Sequence, residues 1–173
     1  MGEIEAGYQI KRNIMRYWCI STSAKNWEIC RRNNTWGMDA RYYVTLEKFL
    51  KAGDKAVAYT QSGNFRAIIE FIGRSFYSEE DLGWTKGGKP FTFPYRIKFR
   101  VIRETTVPVQ VSFSTEEIGS KAQWSKPNFI DDIVFIADKG RTWNQYLQVS
   151  IISITKEDFD TLSQAIIVRQ DFR

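Results

Sequence analysis

The sequence predicts an α+β fold, and three observations carry that prediction. Tyr95, Ile97, Phe99 and Val101 alternate with Arg96, Lys98 and Arg100, the period of two of a strand with one basic face. Lys55 to Thr60 and Phe65 to Phe76 are apolar runs separated by the turn-forming Gln61-Ser62-Gly63-Asn64, which reads as a hairpin. Helix signals are short and scattered, with no regular βαβ alternation. About six strands with short helices are best closed as a small open barrel with helices at its ends.

Arg16 to Ile20 reads as the first strand, ended by Ser21-Thr22-Ser23. Ser23 can cap a helix from Ala24 to about Asn33, with Asn26 at the third helical position, where a capping box puts its return partner. Asn33 to Asp39 reads as a polar turn carrying Trp36, and Tyr42 to Leu50 as a short helix or helical turn. Lys51-Ala52-Gly53-Asp54 is a turn signal ahead of the hairpin. A polar, glycine-rich loop from Tyr77 to Lys89 carries Trp84. Beyond the alternating strand, Pro108 breaks an extended piece from Thr105 to Phe113. Ser114 with Glu117 suggests a short helix to about Gly119, and a further helix is expected around Asn128 to Asp138. Val149 to Ile154 is the last clear strand, and Thr155 caps a helix from Lys156 to about Gln164. The expected organisation is an arm over 1–14, one domain over 15–165 and a tail, or one more edge strand, over 166–173.

Composition excludes several chemistries. The chain has 173 residues, no histidine and two cysteines. That removes Ser-His and Cys-His nucleophile pairs and imidazole metal ligands. Cys19 and Cys30 cannot alone hold zinc, and buried thiols in a cytoplasmic protein are the expectation. No cofactor and no metal are expected. No run is apolar enough to span a bilayer, and the first dozen residues lack the apolar core of a secretory leader. A net charge of +5 suits a polyanionic partner.

Trp36 and Trp84 stand out because both indoles fall where turns are expected. Two loop tryptophans either plug the edge of the core or form two walls of a slot for a nucleobase, since every base has a stackable face. Asn26 either caps its helix or reads a base edge. Arg96, Lys98 and Arg100 are either a phosphate track or a solvated sheet face.

Several motifs, in order, resemble the EVE domains of the PUA-like superfamily. They are Tyr17-Trp18, Asn34-Thr35-Trp36-Gly37, Lys51-Ala52-Gly53-Asp54-Lys55, Pro94-Tyr95-Arg96-Ile97-Lys98 and the stretch from Ile151 to Phe159. The resemblance spans roughly residues 15 to 162 and implies a PUA-like open β-barrel of mixed strands with short helices around it. A more distant resemblance to YTH domains touches mechanism, because that family binds N6-methyladenine in RNA through an aromatic cage. It maps the polar pair of that family onto Ser21 and Thr22, its helical asparagine onto Asn26, its cage tryptophans onto Trp36 and Trp84, and its Ser-Gly-x-Phe turn onto Ser62-Gly63-Asn64-Phe65. Ile20 stands where lysine is common, and Thr22 where a longer asparagine is common.

The resemblance implies non-catalytic binding of a modified nucleobase, a methylated cytosine or adenine, in RNA or DNA. Trp36 and Trp84 would flank the base, with Phe91 or Phe93 as a third wall. Thr22, Ser21, Asn26, the Gly37 backbone, Ser62 and Asn64 would line its edge. Lys86, Lys89 and Arg31 are the candidate phosphate contacts. The partner is then a single strand or a flipped-out base, with no membrane. A rival expectation is an ASCH-type hydrolase of modified nucleosides, with Thr22 as hydroxyl and Glu70 as its acid. A third is a module whose aromatic loops dock another protein.

Overall fold

The computed structural model describes residues 14–60, 64–110, 113–118, 121–127 and 150–170. Its centre is a six-stranded mixed sheet curved into a half-barrel, the α+β arrangement expected. In chain order the elements are β1 (Tyr17–Thr22), α1 (Ala24–Asn33), β2 (Thr35–Met38), β3 (Lys55–Thr60) and β4 (Asn64–Tyr77). Then come β5 (Thr85–Lys86), β6 (Lys89–Pro90), β7 (Tyr95–Gln110), β8 (Phe113–Ile118), β9 (Lys121–Pro127), β10 (Ile151–Ile154) and α2 (Lys156–Gln170). The sheet order is β10-β1-β3-β4-β7-β2. β1 runs parallel to β3, and the other neighbours are antiparallel.

Strand alternation sorts the core into two faces. Trp18, Ile20, Ala56, Ala58, Ile69 and Phe71 pack with Trp27, Ile29 and Cys30 of α1. Cys19, Val57, Tyr59, Phe65 and Ile68 pack with Phe159, Leu162 and Ile166 of α2. Side chains of period two on the strands and i, i+4 spacing on α2 make this two-sided burial possible. Curvature enters where the β4–β7 register slips, including between Ile72 and Phe76. Gly73 lies there with φ 71°, a left-handed value that glycine adopts without a Cβ clash.

Four expectations are corrected. Trp36 lies on a strand: β2 pairs with β7, Trp36 opposite Ile97. Its polar flanks resemble a turn, but all four β2 residues are buried, so no alternation marks it. Residues from Ser114 form β8, paired to β9, so the Ser–Glu spacing satisfied a capping box without a helix. Pro108 does not end its strand. The β4–β7 register jumps from Glu104 to Val109, so proline interrupts no β4–β7 pairing at that point. The last helix continues to Gln170 and buries Ile166 completely, because no glycine or proline stops it at Gln164. The helix expected around Asn128 to Asp138 lies outside the described residues. The β3–β4 hairpin, β1 and the helical turns at Ala40–Tyr42 and Thr45–Phe49 match the expectation.

The Lys51–Asp54 turn anchors the start of the sheet. Gly53 has φ 92°, and the buried Asp54 carboxylate accepts from the Arg16 N–H at 2.9 Å, the Lys51 N–H at 3.0 Å and the Trp18 indole N–H at 3.1 Å. Removing it strands three donors, each costing about 1–3 kcal/mol when unpaired and buried. Asp54→Ala is therefore expected to lower stability by ~3–5 kcal/mol, read as a drop in the urea midpoint. A change within about 0.5 kcal/mol would contradict this role.

Candidate functional site

The site forms where the end of β1, the first turn of α1, β2 and the loop before β5 meet. Ser23 caps α1 by accepting from the Asn26 N–H at 3.1 Å. The Asn26 side chain is turned elsewhere: Nδ2 donates to Thr85 O at 2.7 Å, and Oδ1 accepts from the Thr85 N–H at 3.0 Å. This two-bond clasp, across 59 residues of sequence, holds the loop of Trp84 against α1. Asn26 thus positions a tryptophan, a role that its place in the helix did not reveal.

Trp84 is fully enclosed. A Cβ at Gly37 would lie 2.7 Å from its Cη2 and Cζ3 atoms and 2.8 Å from the Phe93 Cβ, so the indole edge rests directly on the β2 backbone. Phe93 meets Trp84 edge-on at 5.7 Å. The Arg96 guanidinium lies 4.9 Å over the indole. Arg96 stands directly across from Gly37 on β7, and the missing Gly37 side chain leaves the space that Trp84 fills.

Arg96 itself is buried and donates to Phe93 O at 2.9 Å, to Ser78 Oγ at 3.0 Å and to Glu80 O. Burial pulls its pKa down, against the raising effect of Glu80 and Asp81. The basic stripe on β7 is therefore not one surface. Lys98 donates to Thr35 Oγ1 at 2.8 Å, and Arg100 pairs with Glu70.

Trp36, Gly37, Trp84, Thr22, Ser21 and Asn26 line one small cavity, completed by Phe93, Cys30 and Ser150. Its volume is about 30 Å³. That admits a water molecule, whereas small-molecule pockets span roughly 300–1,000 Å³. Trp36 and Trp84 are 3% and 1% exposed, and both indole N–H groups are buried with no hydrogen-bond partner among the described residues. Burial pushes the Cys30 thiol up to about 12, an effect the Trp84 indole partly offsets. That thiol is at best a weak acceptor for the indole. Two unmet donors beside one cavity are unusual, since nearly all buried polar groups find partners.

The remaining expected residues fall around this cavity. Thr22 stands beside Thr60, and Thr60 beside Asn64, so the hairpin turn lies at the Thr22 end of the sheet. Ser62 lies outside the described residues. Phe91 packs on Phe93 at 4.7 Å and is not a cavity wall. Arg31 bridges Glu28 at 3.1 Å and Glu104 at 3.5 Å. Lys86 bridges Asp39 at 2.8 Å, and Lys89 is exposed opposite it in the β5–β6 pair. Among the described residues no group of three His, Cys, Asp or Glu is placed to hold a metal, and no helix is long and apolar enough to cross a membrane. Phe93, one of the two residues expected as a third wall, lines the cavity, whereas Cys30 and the backing Arg96 were not anticipated. Alternation on β7 implied an outward Arg96, and nothing local signals that a loop folds over it.

No family profile matches the chain. It is similar to UPF0310 proteins. One from Pyrococcus horikoshii is 25% identical over 163 residues, covering 88% of this chain and all of that protein. Another from Pyrococcus abyssi is 28% identical over 125 residues, covering 64% of this chain and 84% of that protein. Among solved structures, the YTH domain-containing protein mmi1 in an RNA complex superposes with a TM-score of 0.60 at 13% identity, covering 92% of this chain and 87% of that one. The YTH domain of the Zygosaccharomyces rouxii MRB1 protein, solved with N6-methyladenosine RNA, gives 0.54 at 12% identity, covering 92% and 89%. A Rhodopseudomonas palustris protein solved by NMR gives 0.54 at 13%, covering 89% and 94%. The shared property at this identity is the fold.

Two outcomes follow from this geometry. Gly37→Ala must displace Trp84 or Phe93, which is expected to cost about 1–3 kcal/mol and to shift tryptophan emission to the red. Unchanged emission and midpoint would contradict the contact. Asp39 is held down at about 2, chiefly by the Arg41 hydrogen bond and also by Lys86, against its own burial. Its folded pKa lies below the unfolded value of about 3.9, so its contribution is present above about pH 4 and lost as pH falls toward 2. Asp39→Asn is expected to flatten the urea midpoint against pH over that window, and an equally steep profile would contradict the assignment.

Proposed function

We propose that the chain binds a modified nucleobase, a methylated cytosine or adenine extruded from RNA or DNA, between Trp36 and Trp84. The observation that carries the reading is the convergence of both tryptophans, Gly37, Thr22 and Asn26 on one cavity, with both indole N–H groups lacking a partner among the described residues. The YTH structures solved with RNA and with N6-methyladenosine RNA support the partner class.

At about 30 Å³ the cavity is too small for a base, so the base enters only if a wall moves. The loop of Trp84 is the candidate, held by the Asn26–Thr85 clasp and the Lys86–Asp39 bridge. Stacking contributes roughly 1–3 kcal/mol per base, and burying one methyl adds ~0.8 kcal/mol. Stacking thus binds, while polar matching selects. Thr22, Ser21, the Gly37 backbone and the two indole donors are the groups for that edge. Asn26 contributes only what its clasp leaves over, one N–H and one lone pair. Lys89, Lys86 and Arg31 face the strand's phosphates. Extrusion costs a few kcal/mol in a duplex and less in a single strand, so single strands bind best.

Catalysis has less support. No carboxylate or amine lines the cavity among the described residues, and the Cys30 thiol is far from ionising. Glu70, the acid considered for a hydrolase, lines a different groove, with Lys55 and Arg100.

The test is a panel of modified and unmodified single-stranded oligonucleotides at one salt concentration. Saturable binding with preference for a modified base is expected. Because Trp→Ala here would cost about 3–5 kcal/mol, Trp36→Phe and Trp84→Phe are the informative variants. Each is expected to weaken the preference while the fold persists. No saturable binding of any oligonucleotide, or variants that keep the full preference, would refute the cavity as the site.

A further inference from the structure

Asp39 is a second feature of this region that the cavity does not use. It directly follows β2, two residues after Gly37, while Lys86 is two residues after Trp84. Its carboxylate takes Arg41 in a fork, with Nη2 at 2.9 Å and Nε at 3.3 Å from each oxygen, and Lys86 Nζ at 2.8 Å. The carboxylate is 11% exposed, whereas the cations are 71% and 45% exposed. Lys89 adds a third cation across the β5–β6 pair. One acid therefore holds two cations that open to solvent, with Lys89 on the neighbouring strand. Phe91 supports Lys86 from below, its ring centre 4.8 Å from Nζ. Of the acids on the same loop, Glu79 accepts from the Tyr77 hydroxyl, and the charges of Glu80 and Asp81 act on Arg96.

A forked arginine plus a lysine on one pair of oxygens is the arrangement that phosphate takes. We propose that Asp39 is an internal stand-in for phosphate, and that a backbone phosphate of a single-stranded nucleic acid displaces it from Arg41 and Lys86. Both cations are largely solvent-exposed, so they can turn from Asp39 to an incoming phosphate. Displacing Asp39 also releases Lys86, one of the tethers on the Trp84 loop beside the Asn26 clasp and the Arg96 bonds, so backbone binding and opening of the cavity favour each other. The inference rests on the nucleic-acid partner proposed above, but not on the base cavity itself.

The experiment titrates an unmodified single-stranded oligonucleotide into Asp39→Asn, which keeps a side-chain oxygen to cap the Ala40–Tyr42 turn. Affinity is expected to rise about three- to tenfold, with the salt dependence steeper by up to about 0.7 in log–log slope for each freed cation. Asp160→Asn, which frees Lys156 on α2 against the other face of the sheet, is the matched control and should give no comparable gain. Unchanged or weaker binding by a folded Asp39→Asn, or an equal gain in the control, overturns the proposal. Should Asp39→Asn not fold, the exposed Arg41→Gln decides: weaker binding supports the proposal, and unchanged binding overturns it. Preference for modified over unmodified strands, read in the same titrations, separates the two readings. If the wild type shows no preference yet Asp39→Asn gains affinity, the cavity reading alone fails.

Discussion

The contact of Trp84 with the bare backbone of Gly37 is the constraint on which the rest of the site depends. An indole on a loop has no ladder to hold it, and here three separate segments supply the hold. β2 supplies the missing Cβ, β7 supplies Arg96 above the ring, and α1 supplies the Asn26 clasp on the next peptide. Each is adjacent to a cavity wall, so any change that moves Trp84 also reshapes the cavity. The arrangement explains why an arginine is buried at Arg96. Its hydrogen bonds to Phe93 O, Ser78 Oγ and Glu80 O meet the desolvation cost that an unpaired buried cation would carry.

The same constraint gives the cavity its character. A volume of about 30 Å³, with two indole donors unpartnered among the described residues, describes a small site holding unused hydrogen-bonding capacity. A buried unpaired N–H costs about 1–3 kcal/mol, and a ligand that supplies an acceptor recovers it. Such a site selects by what the ligand brings to the donors as much as by shape. The loop that closes it is held by polar contacts, of which Lys86–Asp39 is exposed and exchangeable, whereas Asn26–Thr85 is largely buried. Motion is therefore expected about the Asn26 end, with the Lys86 end released first.

Much of the fold was legible because burial on one side of a strand leaves a period of two. β7 shows it directly, whereas the β3–β4 hairpin was legible as two apolar runs either side of a turn signal, since β3 is buried on both faces. β2 was not legible because Thr35, Trp36, Gly37 and Met38 are all buried and leave no alternation to read. β8 was misread because a Ser–Glu spacing fits a helix cap in any backbone. At the site, the sequence order of Thr22, Asn26, Trp36, Gly37 and Trp84 resembles a known pattern, and those residues do line one cavity. What they do there was less legible. Asn26 spends its amide on Thr85, Arg31 and Lys86 are taken by acids, and Arg96 is turned inward. Those facts depend on a loop crossing the sheet, which no local pattern encodes.

The central claim is that the cavity between Trp36 and Trp84 opens to receive a base. The indole N–H resonances of Trp36 and Trp84 test it most directly, because neither has a hydrogen-bond partner among the described residues, while those of Trp18 and Trp27 are bonded to Asp54 and Glu104. In a ¹⁵N-labelled sample titrated with the preferred modified oligonucleotide, the Trp36 and Trp84 indole signals are predicted to shift and saturate with binding. The Trp18 and Trp27 signals should move far less. Saturating binding that leaves the Trp36 and Trp84 signals in place would contradict the claim and put the ligand elsewhere.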